Sequence, residues 1–200
     1  MKITNIKPQV KRAGRYSIFI DERYSFSLSA NALLDSKLGI GQELDQEQVK
    51  ELKQASVNDK LYENVLRYLA IRPRTIWEIT AYLQKKGASP ALQDILLNKL
   101  SNANLLDDKK FAEAFVNDRR LLRPTSRRKI TQQLRQKRVS DEIIQAVVGN
   151  EAEAEQSALL AMIERKRRQA KYKDDLKLMQ YLAGQGFNYG DIKAALSKED

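Results

Sequence analysis

The chain has 200 residues, 42% apolar and 31% charged, with 36 Lys and Arg against 26 Asp and Glu for a formal charge of +10, and it contains neither Cys nor His. That apolar content can bury a real core, as one elongated domain or two small ones. The missing residue types remove disulfides, thiolate chemistry, histidine metal ligation and the commonest general base, so a non-catalytic protein without a cofactor is expected. No stretch approaches the roughly 20 apolar residues of a membrane helix, and Met1 to Lys11 lacks an apolar signal core; a cytoplasmic location with no membrane attachment follows as the expectation.

In chain order, Arg15 to Ile20 and Tyr24 to Leu28 favour strand by their β-branched and aromatic content, with Asp21-Glu22-Arg23 as the turn of a hairpin. In the second run Tyr24, Phe26 and Leu28 alternate with Ser25 and Ser27, which predicts one buried and one wet face. Ile3 to Ile6 can add a third strand. Ser29 can cap a short helix carrying Leu33 and Leu34, Gly39 and Gly41 break the chain, and Asp45 can cap a helix ending near Ser56. Residues 1–57 thus read as a small β-rich module, which needs a neighbour to pack on.

From Asn58 the pattern is helical and repetitive. Aligned on Leu83, Leu134 and Leu182, which lie 51 and 48 residues apart, three units share their landmarks. Thr75, Ser126 and Asp174 stand eight residues before the anchors and Ser89, Ser140 and Asn188 six after, all good N-cap residues. Gly87, Arg138 and Gly186 stand four after, where a helix must stop. Arg72-Pro73 and Arg123-Pro124 end the preceding helices of the first two units. Apolar spacing agrees, with Leu61, Val65 and Leu69 on a first helix, Ile76, Ile79 and Leu83 on a second, and Leu92, Ile95, Leu96 and Leu100 on a third. The expected fold is mostly α: tandem three-helix repeats over 58–106, 107–150 and 151–200, stacked into an elongated curved body behind the N-terminal hairpin module. Tyr68, Trp77, Tyr82, Phe111 and Phe115 fall at helix-core spacing and read as core.

Charge is uneven along this array. Residues 1–57 carry +2, 58–106 +3, 107–150 +5 and 151–200 zero, and from Arg119 to Arg138 there are nine basic residues and no acid. Where the first unit has Ile76-Trp77-Glu78 the second has Arg127-Arg128-Lys129, although the flanking landmarks still match. Arg119, Arg120 and Arg123 precede this cluster, and Arg135, Lys137 and Arg138 follow it. The third unit adds Arg165, Lys166, Arg167, Arg168, Lys171 and Lys173 near its first-helix end. Such clusters attract polyanions through their backbone phosphates, without base readout; the plain alternative is a solvated face that keeps the chain soluble. A hydrolase or nuclease would need clustered carboxylates for a metal, and the acids here are scattered at caps and helix starts.

The run Leu105-Leu106-Asp107-Asp108-Lys109-Lys110-Phe111-Ala112-Glu113-Ala114-Phe115-Val116-Asn117-Asp118-Arg119 resembles the signature of the RecX family, the regulatory proteins of the RecA recombinase. Val65-Leu66-Arg67-Tyr68-Leu69, Arg72-Pro73-Arg74-Thr75 and Leu83-Gln84-Lys85-Lys86-Gly87 are similar to that family's first unit, and Leu134-Arg135-Gln136-Lys137-Arg138 with Asp141-Glu142-Ile143-Ile144 to its second. Residues 1–57 resemble the extra N-terminal segment of longer members. Arg138 departs from the glycine expected there, and the third unit carries little motif beyond Gly186. The resemblance implies a regulator of RecA, an inhibitor in the first instance, that binds along the RecA filament on single-stranded DNA and touches its phosphates; a monomer is the separate expectation. It brings no catalytic residue and makes Asp107 and Asp108 structural. The contact candidates are Arg72, Arg74, Lys85, Lys86, Arg119, Arg120, Arg123, Arg127, Arg128, Lys129, Arg135, Lys137, Arg138, Arg165, Arg167 and Arg168. A capped three-helix unit is also what helix-turn-helix DNA binding uses, which keeps open a free-standing DNA-binding protein without sequence specificity.

Overall fold

The computed structural model describes residues 1–149 and 152–197. Its contacts divide the chain into two compact units, Met1–Arg72 with Ala81–Lys99, and Pro73–Thr80 with Leu100–Asp200.

In the first unit, strands β1 (Ile3–Pro8), β2 (Arg15–Ile20) and β3 (Arg23–Ser29) form an antiparallel sheet in that order. The β2–β3 turn is Asp21-Glu22, both at positive φ, the geometry of a primed two-residue hairpin. Two non-glycine residues tolerate it because each is tied down. The Asp21 carboxylate accepts the Lys2 N–H at 2.8 Å, and the Glu22 N–H donates to Thr4 Oγ1 at 3.0 Å. Ser29 caps α1 (Ala30–Ser36) as its position predicts. One sheet face buries Ile3, Ile18, Ile20, Phe26 and Leu28 with Leu44 and Val49.

Two expectations for this module are overturned. The helix begun at Asp45, α2 (Gln46–Ile71), does not end near Ser56 but runs on for 26 residues, so the boundary expected after residue 57 falls inside it. No glycine or proline stands between Asp45 and Pro73, and the Ser56 hydroxyl donates to the Ser27 carbonyl at 2.6 Å instead of marking a helix end. The serine face of β3 is also not wet, since Ser27 is 1% exposed while Tyr24 is 54% exposed. An ionic cluster covers it. Arg15, itself buried, donates to Ser27 Oγ at 2.9 Å and Ser27 O at 2.8 Å and pairs with Asp59 at 3.0 Å and Glu63 at 2.5 Å on α2. Asp59 also accepts the Ser29 N–H at 2.8 Å and hydroxyl at 2.6 Å. The middle of α2 is therefore the neighbour on which the marginal sheet packs.

The helices that follow are α3 (Ile76–Lys85), α4 (Pro90–Asn102), α5 (Asp108–Leu121), α6 (Arg127–Gln136), α7 (Asp141–Val148), α8 (Ala152–Arg167), a single 3₁₀ turn at Ala170–Tyr172, α9 (Asp175–Gly184) and α10 (Tyr189–Leu196). All six predicted caps bond the amides of their first turns: Thr75, Ser126 and Asp174 before α3, α6 and α9, and Ser89, Ser140 and Asn188 before α4, α7 and α10. Each anchor leucine, fully buried, accepts through its carbonyl the closing bond of its helix, from Ala88, Val139 and Phe187 at 3.1, 3.2 and 3.3 Å. The residue between, Gly87, Arg138 or Gly186, takes positive φ. Each end is a Schellman motif, and it forms at Arg138 without glycine, the arginine holding φ 58°.

The second repeat buries Phe111, Ala112, Val116, Ile130, Leu134, Val139, Ile144 and Val148, and the third Leu159, Met162, Ile163, Leu178, Leu182, Phe187 and Ile192. Leu→Ala at Leu134 or Leu182 should cost about 2–5 kcal/mol. Trp77 is not core; it is 48% exposed, two residues from buried Ile79 and so on the far side of α3. Ile76, in the first turn, and Ile95 are exposed as well.

Within the second unit one joint occurs twice. The Thr75 hydroxyl donates to the carbonyl of Lys137, the C-cap of α6, at 3.1 Å, and the Ile76 N–H to Asp108 Oδ1 at 2.8 Å. At the equivalent positions the Ser126 hydroxyl donates to the carbonyl of Gln185, the C-cap of α9, at 2.6 Å, and the Arg127 N–H to Glu155 Oε2 at 2.8 Å. The N-terminus of one repeat's second helix thus seats on the C-terminus of the next repeat's second helix and on a carboxylate in the first turn or two of its first helix. A side-chain hydroxyl thus satisfies an orphan carbonyl, and a carboxylate an orphan amide, across each joint.

Candidate nucleic-acid interface

The sixteen candidate cations divide by what their heads already hold. Arg119 lies half-buried with its guanidinium 4.4 Å from the centre of the Phe115 ring, Nε donating to Gln133 at 3.1 Å and Nη1 to Asp118 at 2.8 Å. It joins α5 to α6. Arg120 donates to the Val148 carbonyl at 3.0 Å, closing the end of α7. Lys137 pairs with Glu78 at 3.3 Å and covers Phe111, and Lys129, at the position equivalent to Glu78, binds Gln185. Arg167 donates to the carbonyls of Tyr172 and Lys173 and pairs with Asp175 at 2.6 Å, fastening the 3₁₀ turn. These five hold helices together.

The others lie nearer solvent. Arg123, Arg128 and Arg138 are exposed and have no ion-pair partner among the described residues. Arg127 is exposed, Arg135 pairs at the surface with Asp141 at 2.7 Å, and Arg168 with Glu164 at 2.8 Å. Exposed pairs of this kind are worth about 0–1 kcal/mol and yield readily to a phosphate. Arg165 is exposed beside Met162. Arg72, Lys85 and Lys86 are exposed in the first unit, Lys86 lying over the Tyr82 ring, and Arg74 is half-buried in the second.

Arg120 and Arg127 share a cleft with Thr125, Val148 and Glu155, and Arg127 and Arg135 share the adjoining groove along α6 and α7 with Thr131 and Gln145. Arg128 lies on the other side of α6, where a Cβ built on Gly186 would come within 3.3 Å of its own Cβ. The Arg127-Arg128-Lys129 triplet is therefore split, one side chain toward the grooves, one beside α9 and one consumed by Gln185. Burial raises the carboxyls of Glu155 and Asp108 above their ordinary values, against the backbone N–H that each accepts. Sequence reasoning placed Asp108 at a helix start but did not reach its bond to Ile76, nor Glu155 and Gln185 as partners of the basic triplet. The repeat spacing pairs Lys137 with Gln185, which was the available signal, but it sets Asp107, not Asp108, against Glu155.

Among the described residues no group of three or more His, Cys, Asp or Glu could hold a metal ion, and no helix is long and apolar enough to cross a membrane.

Known proteins resemble the chain along its length. Family profiles described as the regulatory protein RecX N-terminal domain, the RecX first three-helix domain and the RecX second three-helix domain match residues 1–45, 62–100 and 107–148. The regulatory protein RecX of Listeria monocytogenes is 33% identical over 203 residues, covering 99% of this chain and 76% of that protein. The one from Lactobacillus johnsonii is 37% identical over 143 residues, and there the match spans 72% of this chain and about half, 52%, of the relative. A crystal structure of a regulatory protein RecX superposes with a TM-score of 0.75 at 27% identity, covering 98% of both chains. That of RecX from Lactobacillus salivarius, 21% identical, shares the fold with a TM-score of 0.62 over 72% of this chain. With its N-terminal sheet, its capped three-helix repeats and a relative 33% identical across 99% of this chain, the chain belongs to the RecX family of regulatory proteins.

Proposed function

We propose that this protein regulates RecA by binding the RecA filament on single-stranded DNA, as an inhibitor of filament growth, ATP turnover and strand exchange, acting as a cytoplasmic monomer and without catalysis of its own. The observation that carries this reading is the pairing of RecX membership with arginine heads that the fold leaves at the surface of the second and third repeats, Arg123, Arg127, Arg128, Arg135, Arg138, Arg165 and Arg168. Such heads suit a phosphate backbone, where position matters and base identity does not. The second and third repeats, 107–150 and 151–200, act together as the binding array.

The test is the single-strand-dependent ATPase of RecA with this protein titrated in. Inhibition by the full chain, and its loss on Arg123→Glu/Arg127→Glu/Arg128→Glu with helicity unchanged, is the expected result. Lys129 is left out of that variant because it belongs to the joint. An ATPase indifferent to the wild-type chain would refute the proposal. Equal affinity for bare single-stranded DNA and for the assembled filament at matched salt would favour the free-standing DNA binder.

A further inference from the structure

The first twenty residues hold Lys2, Lys7, Lys11, Arg12 and Arg15 and no acid; the first carboxylate is Asp21. The fold separates these five by role. Arg15 is buried and neutralised by Asp59 and Glu63, and Lys7 rests over the Phe19 ring. Lys11 and Arg12 lie exposed on the β1–β2 loop between Val10, itself fully in solvent, and Ala13. That loop is fixed at its root. The Gln9 N–H donates to Arg15 O at 2.8 Å, the Arg15 N–H to Arg12 O at 3.2 Å, and the Ala30 N–H to the carbonyl of Gly14 at 2.8 Å. Gly14, at φ 77°, makes the turn.

Across a shallow groove floored by Leu66 stands Arg67 of α2. The one acid in the groove lining is Glu63, already bound by Arg15. Three cations therefore rim a groove whose own countercharge is spent, two on a loop fixed at its root and one on α2. Lysine and arginine at a rim whose one acid is already paired match a phosphate backbone, which their charge can neutralise.

We infer that the β1–β2 loop and Arg67 form a second phosphate-contacting surface, by which the N-terminal module holds single-stranded DNA independently of the helical repeats. The inference rests on the DNA contact in the function proposed above, and its test separates the two. Fluorescein-labelled oligo-dT is titrated by anisotropy with the full-length wild type, Lys11→Ala/Arg12→Ala and Arg123→Ala/Arg128→Ala, between roughly 50 and 200 mM salt, the range over which phosphate contacts are lost. Both variants should keep wild-type circular dichroism, since the replaced side chains have no hydrogen-bond or ion-pair partner among the described residues.

Each lost contact with a single strand lowers the slope of log K against log salt by about 0.7. The loop variant should thus flatten it by about 1.4 and weaken binding about tenfold at physiological salt. An unchanged slope and affinity for that variant, with the repeat variant weakened, overturns this inference and leaves the proposed function standing. No binding by the wild type overturns the inference and the DNA half of that function together. Loop-dependent DNA binding without any effect on the RecA ATPase would uphold the inference and remove the function.

Discussion

Gly186 sits at the tightest point of the joint between the second and third repeats, and its replacement by alanine can be worked through. Its φ is 93°, and an added Cβ would fall 2.8 Å from Ser126 Oγ and 3.3 Å from the Cβ of Arg128. The equivalent Gly87 has φ 77° and nothing within 4 Å of the same added atom. Both alanines carry the left-handed backbone cost, about 1–2 kcal/mol. Only Gly186→Ala must also displace the serine hydroxyl, which both donates to Gln185 O and accepts the Lys129 N–H, at a further cost of about 1–3 kcal/mol if those bonds are spoiled. Gly87→Ala should therefore lower stability by about 1–2 kcal/mol and Gly186→Ala by about 2–5 kcal/mol. For a chain of this size a kilocalorie is about 2–4 °C in melting temperature. The decisive measurement is a double-mutant cycle with Ser126→Ala, followed by urea unfolding. Removing the hydroxyl gives the new methyl its space, so the double variant should be about 1 kcal/mol or more better than additive. Strict additivity, or a Gly186→Ala no worse than Gly87→Ala, would refute the claim that serine and glycine share the space of this joint.

Three other outcomes follow from single contacts. Arg138→Gly should stabilise by roughly 0.5–1 kcal/mol, because arginine holds a left-handed φ of 58° that glycine adopts freely; a lower melting temperature would show that its side chain does more than the fold reveals. Asp59→Ala leaves buried Arg15 with Glu63 alone and strips two bonds from Ser29, and breaking a buried pair this way should cost about 3–5 kcal/mol, read as early loss of protection of the sheet amides in hydrogen exchange. Burial raises the Asp108 carboxyl above 3.8 in the folded chain, so its ionised form is the disfavoured one there. Stability from this group is complete below the unfolded value and declines as pH rises through the folded one. Asp108→Asn keeps an oxygen for the Ile76 N–H, and should match or exceed wild-type stability at pH 7 while losing that advantage toward pH 4; a constant difference across the range would contradict this.

The local chemistry of the fold was legible wherever it depends on residues a few positions apart. Six caps and three left-handed helix ends sit where their residues predict, since a cap acts within one turn of its own helix. The hairpin was readable for the same reason. What escaped was set by distant partners. Ser56 looked like a helix end because nothing nearby shows that its hydroxyl serves Ser27, 29 residues away. Ser27 looked solvated because Arg15 and the acids on α2 that cover it lie elsewhere in sequence. Trp77 read as core because the moment of a short helix does not say which of its apolar residues the tertiary contacts take. The joint was half-legible: hydroxyl caps at Thr75 and Ser126 can donate to a facing carbonyl, whereas Asp174, held ionised by the Lys177 N–H, cannot.

That distinction bears on how a basic run should be weighed. Arg119 to Arg138 contains nine cations without an acid, and taken at face value each is a phosphate contact. Four of the nine, Arg119, Arg120, Lys129 and Lys137, hold helix ends or the joints between repeats. The two joints show why a cation is needed there. In one, Lys137 meets Glu78; in the other, at the same two positions, Gln185 meets Lys129. The positive residue has changed sides while the bond across the joint is kept. Glu78 and Lys129 are equivalent, so the change from acid to base that makes the second repeat look cationic at this position is the exchange of partners within a joint. Arg123, Arg128 and Arg138 are exposed and have no ion-pair partner among the described residues, so on the proposed function they are the foremost candidates to face a polyanion, and charge counted along the sequence overstates that surface by the number of cations that stacking consumes.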